Sequence, residues 1–208
     1  RGSGVMVIDG GSYIANGSLG TGSPAVYCVA DITVSNATMQ ANNAQAICFE
    51  GRNPFHMYNC YLEGKYTASD DDENCNVMVY QSMSGDADEG TSSFAMNGGK
   101  LTNKNGDIFF VNNTTTTIDL SKATIVNQDE NGVFLRAAAA GWGSEGSNGG
   151  QVTLNASSQA IDGDMIVDSV STLNLLMSSN STFTGAIITK FEDALATFVV
   201  LTAYIPML

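Results

Sequence analysis

Histidine and tryptophan each occur once in this sequence, proline three times, and eight lysines and arginines face 21 carboxylates. Each scarcity closes off some chemistry. His56 has no second histidine for a zinc site, and Cys28, Cys48, Cys60 and Cys75 show no CxxC spacing that would pair two thiols on a metal. A Ser-His-Asp arrangement finds no support either, and His56 reads as a surface histidine. Four cysteines in 208 residues are too sparse for a disulfide framework. The net charge of −13 repels phosphate backbones, so nucleic acid is not an expected partner. Such a charge suits solubility, cation binding or a cationic partner. Only 14% of residues are charged, so Asn, Ser, Thr and Gly carry the surface polarity. The 43% apolar content argues against disorder. Helical periodicity is almost absent before residue 190.

What the chain does have is a sentence written five times. "MVIDGGSYIA" (6–15), "ITVSNATMQA" (32–41), "FHMYNCYLEG" (55–64), "FAMNGGKLTN" (94–103) and "IDLSKATIVN" (118–127) all carry an apolar residue at positions one, three and eight. Position six is always small: Gly11, Ala37, Cys60, Gly99 and Ala123. Looser copies follow in "VTLNASSQAIDG" (152–163) and "LNLLMSSNSTFTG" (173–185), with two and three extra residues. The unit starts at 6, 32, 55, 94, 118, 152 and 173, a period near 23 broken by two long insertions. A fixed period of this size marks a stacked-repeat fold. Each unit has a companion run: "AVYCV" (25–29), "AICFE" (46–50), "NVMVYQ" (76–81), "DIFFV" (107–111), "GVFLR" (132–136) and "DMIVD" (164–168). Short apolar alternation between Gly, Asn, Asp and Ser turns is a strand signal. The intervals leave no room for helical crossovers, which points to a parallel β-solenoid in which like residues stack. Short regular strands also fit an antiparallel sandwich. The small corner favours the solenoid, because a larger side chain would clash at a tight inward bend, and it makes Cys60 a buried small residue.

The pattern, and the stretch "STLNLLMSSNSTFTGAI" (171–187) above all, resembles the right-handed parallel β-helix, the pectin-lyase-like fold, of bacterial surface adhesins and autotransporter-type passengers. The resemblance covers residues 5–189. It implies an all-β, right-handed parallel β-helix of about seven coils with loop insertions, spanning 1–190. Residues 191–208 would then form a C-terminal cap, with "FEDALATFV" placing Phe191, Ala194, Leu195, Phe198 and Val199 on one face of an amphipathic helix. Residues 194–208 carry no charge, yet they fall short of the about 20 residues a membrane span needs, so membrane association is not expected. The chain opens on "RGSGVMVIDGG", already inside a repeat, and reads as a piece of a longer protein, so a missing leader carries no information. The implied setting is extracellular or cell-surface, with a glycan or a host or cell-surface protein as partner.

If Val26, Ile47, Val77, Ile108, Val133 and Met165 point inward, then Tyr27, Cys48, Met78, Phe109, Phe134 and Ile166 form an apolar stripe on the outside. Such a stripe needs cover or a partner. Cover by the chain itself is the leading expectation, from the insertions 63–75, 82–93 and 137–150 or from the tail. All three insertions are expected to leave one region of the coil and flank one face. Against that stands a binding role for Tyr27, Phe109, Phe134 and Trp142, with the loop tryptophan stacking on a sugar ring. Burial of Trp142 over the stripe is the stronger expectation.

Asp70, Asp71, Asp72, Asp86, Asp88 and Glu89 lie in two acidic clusters that could give Ca²⁺ its oxygen ligands, although the EF-hand spacing is not met. No other cofactor is suggested. "GWGSEG" (141–146) fits GxGxxG but is followed by a turn and a strand, where a dinucleotide site requires a helix. Glu50 and Glu63 are one conceivable carboxylate pair, but nothing marks them out, and no polygalacturonase-like or pectate-lyase-like motif is present. A non-catalytic structural, adhesive or glycan-binding module is therefore the leading expectation. A polysaccharide lyase or glycoside hydrolase is the alternative.

Overall fold

A computed structural model describes residues 4–17, 23–66 and 74–189 and the backbone of Thr202–Ala203. Every regular element among them is a β-strand. Three stacks of parallel strands alternate along the chain. The first sheet holds Val5–Asp9, Asp31–Ser35, Pro54–Tyr58, Thr91–Asn97, Thr114–Ser121, Gly150–Ser157 and Thr172–Ser178, with Thr202–Ala203 at its edge. The second holds Ser12–Ala15, Thr38–Ala41, Tyr61–Gly64, Lys100–Asn103 and Thr124–Asn127, and a separate pair, Ala160–Asp162 with Thr182–Thr184, follows it. The third holds Val26–Cys28, Ile47–Glu50, Cys75–Tyr80, Asp107–Asn112, Leu135–Ala137, Met165–Val167 and Ile187–Thr189. In each sheet a strand pairs with the corresponding strand about one repeat on, which is a parallel solenoid and not an antiparallel sandwich.

The repeated sentence is the register. Position one stacks Met6, Ile32, Phe55, Phe94 and Ile118; position three stacks Ile8, Val34, Met57, Met96 and Leu120. Position eight stacks Tyr13, Met39, Leu62, Leu101 and Ile125 in the second sheet. Between them the small residues stand in file. The amides of Thr38, Tyr61, Lys100 and Thr124 donate to the carbonyls of Gly11, Ala37, Cys60 and Gly99 in turn. Asn36, Asn59, Gly98 and Lys122, each one residue earlier, all have positive φ, so the chain turns the corner the same way at every level. Gly99 shows why the file is small: φ is +79°, and a Cβ there would run into the Cys60 carbonyl. At the next level Gln159 replaces the small residue. Its buried side-chain amide brackets Ala123, with Oε1 accepting from Ala123 N at 2.9 Å and Nε2 donating to Ala123 O at 2.8 Å.

Two late repeats differ from the sequence expectation. Leu154, not Val152, stacks on Ile118, and Leu175 stacks on Leu154. Two residues before position one the longer strands of the first sheet carry a further inward rung, Ser92, Thr116, Val152 and Leu173, which is apolar only in the last two.

The third sheet corrects the expected stripe. Its inward file is Val26, Ile47, Val77, Phe109, Leu135 and Met165, and its outward file is Tyr27, Cys48, Met78, Phe110, Arg136 and Ile166. Phe109 and Phe134 are fully buried in the central core and not on the surface. The physical reason is that Ile108, Phe109, Phe110 and Val111 are all buried, so alternation carries no phase there.

The core is a column of rings. Phe49, Phe55 and Phe94 lie near parallel with centroids 6.2–6.3 Å apart, and Phe94, Phe109 and Phe134 continue it in tilted or edge-on contacts at 5.5 and 5.7 Å. The four cysteines are buried thiols. The amphipathic pattern at 191–199 lies outside the described residues.

Candidate functional site

The outward stripe of the third sheet is covered by the chain itself over its middle. Cys48, Met78 and Phe110 pack with Cys75 and Tyr80 beneath Ala138, Ala140 and Trp142. Trp142 lies on Tyr80 with ring centroids 4.6 Å apart. Two asparagines hold this cover down. Asn148 Nδ2 donates to the carbonyls of Ala140 and Trp142, both at 2.8 Å, and Asn112 Nδ2 donates to those of Ala138 and Asn148 at 3.0 and 2.8 Å.

The same loop forms one wall of a cleft of about 440 Å³ at the corner between the third and first sheets. Connection lengths at this corner create the cleft. The link from Tyr80 to Thr91 is long, the next is the single residue Asn113, and the one from Ala137 to Gly150 is long again. Two loops therefore stand up on either side of a short rung. Asn113 is the floor and ties both walls: its Nδ2 donates to Gln81 O at 2.7 Å, and its backbone N–H donates to Asn148 O at 2.9 Å. Gly143, with φ +83°, lies so close to the Asn113 side chain that a Cβ would collide with it. Gln81, Thr115, Ser144 and Gln151 supply amides and hydroxyls to the lining, Met83 an apolar contact, and Glu89 its charge.

The sequence candidates divide accordingly. Glu89 lines the cleft. Asp88 is drawn away into an ion pair with Arg52 at 2.9 Å, and Asp86 accepts from the Ser84 hydroxyl. No group of three or more His, Cys, Asp or Glu side chains gathers around a cation position among the described residues. Asp70, Asp71 and Asp72 lie outside those residues. Insertion 63–75 leaves the second sheet, so it does not share the corner used by 82–93 and 137–150. Trp142 is half-buried on Tyr80, next to the cleft but turned to the stripe. "GWGSEG" leads to a turn and then a strand.

Tyr27 is the one predicted aromatic contact that stays exposed, at 49%. Its hydroxyl donates to Glu50 Oε2 at 2.8 Å and lies 2.9 Å from the Tyr80 hydroxyl. Burial pushes its phenol up to about 12; the bond with Tyr80 opposes that, and the bond to Glu50 adds to it. Burial likewise raises Tyr80 far above a free phenol. Glu50, itself 1% exposed, also accepts from Ser82 N at 2.8 Å and from the Ser82 hydroxyl. That network roots the first cleft wall. Glu63 belongs to the second sheet, where Gln40, Tyr61 and Lys104 hold it, so the two carboxylates are not a pair.

A smaller charged pocket lies at the corner between the second and third sheets, lined by Asp107, Asp129 and Arg136. Asp129 accepts from the backbone N–H groups of Gly106 at 2.7 Å and Asn131 at 2.9 Å, which hold its carboxyl below the usual range. A lowered folded pKa stabilises above the unfolded value and loses that contribution as pH falls through the folded one. Urea titrations below about pH 4 should therefore show a shallower fall of stability with acid in Asp129→Asn than in the parent. Equal slopes would remove Asp129 from the acid response.

No family model matches this chain, and no curated protein or solved structure is significantly similar to it.

Proposed function

We propose that this chain is a non-catalytic glycan-binding or adhesive module of a secreted or cell-surface bacterial protein. In this reading it winds as a right-handed β-helix of about seven coils, one for each strand of the third sheet. The general right-handedness of crossovers between parallel strands supports that hand. The observation that carries the function is the cleft: two loops standing on a rigid stack, lined by amides and hydroxyls and tied across by Asn113. Binding sites commonly sit on loops that a rigid scaffold positions. Among the described residues Glu89 is the single carboxylate in that lining, whereas glycoside hydrolysis calls for two across the bond to be cut. A host or cell-surface protein carrying such glycans is the corresponding partner.

A glycan array probed with this chain tests the reading. Retention of at least one glycan is expected, with no change in that glycan on prolonged incubation. Asn113→Gly should lose retention, because glycine accepts the positive φ of 53° while the side chain bridging the walls is gone. Cleavage of a retained glycan would instead favour a polysaccharide lyase or glycoside hydrolase.

A further inference from the structure

Gln81 ends the outer wall with a distinctive hydrogen-bond pattern. The residue is 4% exposed and lines the cleft. Its Oε1 accepts from Met83 N at 3.1 Å, and because a backbone N–H only donates, that bond fixes which end of the amide is which. The other end, Nε2, is a buried donor with no protein partner. Such a donor leaves unmade a hydrogen bond that an acceptor would restore. A second observation comes from the sheet beside it. Thr91, Thr115, Gln151 and Thr172 stack as one outward file of the first sheet, and Ser93, Thr117, Thr153 and Asn174 stack two residues further on. Both files are uncharged throughout, in a chain whose net charge is −13.

We infer that the cleft and these two files form one continuous site for a neutral, hydroxyl-rich saccharide chain, with Gln81 Nε2 donating to a hydroxyl or ring oxygen at its buried end. This rests on reading the cleft as a glycan site and adds the ligand class. Stacked Ser, Thr, Asn and Gln side chains offer both donors and acceptors, as sugar hydroxyls require. Among the described residues, lysine and arginine are missing from both files and from the cleft lining, so a carboxylate or sulfate on the sugar finds no counter-charge there, and Glu89 repels it. Met83, 54% exposed, provides an apolar edge, and Trp142 stays on Tyr80. Recognition is therefore by hydrogen bonds along the edges of the sugar, not by stacking on its face.

The test is isothermal titration of the whole chain with cello-, xylo-, manno- and galacto-oligosaccharides and with polygalacturonate and hyaluronate, at low and high salt. At least one neutral series should bind with salt-independent affinity, and the two acidic polymers should not. Gln81→Met, which keeps the volume but removes the donor together with the acceptor for Met83 N, should weaken that binding about tenfold while the chain still unfolds in one cooperative step. Thr117→Val, on the open sheet, should weaken it several-fold. Acidic polymers binding as well as neutral ones, or parent-like affinity in both variants, would overturn the inference and leave a glycan site standing. Failure of every glycan to bind, on the array as well, would overturn the glycan reading itself.

Discussion

Phe94→Ala is expected to lower the free energy of unfolding by about 4 kcal/mol, within the range for removing a fully buried phenylalanine. Phe94 has no exposed surface and is the node of the ring column: it meets Phe55 and Phe49 near parallel at 6.2 and 6.3 Å, and Phe109 edge-on at 5.5 Å. On either side of it in the first sheet stand Phe55 and Ile118, whose backbones are fixed by the ladder and cannot close on the void. Stability in stacked repeats is roughly a sum of repeat and neighbour terms, so a cavity in a middle coil weakens both of its interfaces. Phe94→Leu keeps most of the volume and should cost less than half as much, about 1.5 kcal/mol. Urea unfolding of the two variants reads the difference from their midpoints. A Phe94→Ala loss below about 1 kcal/mol would mean that the rings do not pack as a continuous column.

The column also shows why so much of the fold was legible. A parallel stack puts residues of the same position on top of one another, so a size or polarity demand at one level is repeated at the next. That is why positions one, three, six and eight of the decapeptide stand out as files in the sequence itself, and why Gly11, Ala37, Cys60, Gly99 and Ala123 share a corner. Legibility failed where the demand changed. At Val152 and Leu173 the inward rung two residues before position one becomes apolar, and it looks like the start of the unit when only apolar spacing is counted. In "DIFFV" both faces are buried, one by the core and one by the 138–149 loop, so nothing in the residues distinguishes in from out.

The cleft was less legible for a related reason. Trp142, Phe109, Phe134 and the acidic runs are the residues that stand out in the sequence. Two of those aromatics are core, and the third is spent on Tyr80. The cleft is made instead of common residues at unremarkable positions, and what gathers them is loop length. The one usable signal was that insertions 82–93 and 137–150 leave the same corner, two coils apart, over the single-residue turn at Asn113. Gln81 gave no signal. Its importance comes from the Met83 amide that orients it, and that is a fact of geometry.

Asp107→Ala is expected to cost about 3 kcal/mol, more than any single change at the cleft, because it breaks three bonds to one buried carboxylate. Oδ2 accepts from Arg136 Nε at 2.5 Å; Oδ1 accepts from Arg136 Nη2 at 3.4 Å and from Val133 N at 2.9 Å. The aspartate side chain is 6% exposed and the arginine 25%. Arg136 occupies the outward file between Phe110 and Ile166, and Asp107 is the carboxylate it bonds. Removing the carboxylate thus leaves a partly buried guanidinium and a stranded Val133 N–H. Arg136→Met, which leaves Asp107 bonded to Val133 and restores an apolar residue to an apolar file, should cost about half as much. Asp107→Ala combined with Arg136→Met should cost less than Asp107→Ala alone, since no unpaired charge remains. Chemical unfolding of the three variants completes a double-mutant comparison. Additive losses would show that the two side chains stabilise the coil independently and that their geometry is incidental. A rescued double variant would show that the penalty lies in stranding one charge, as its burial between two apolar rungs requires.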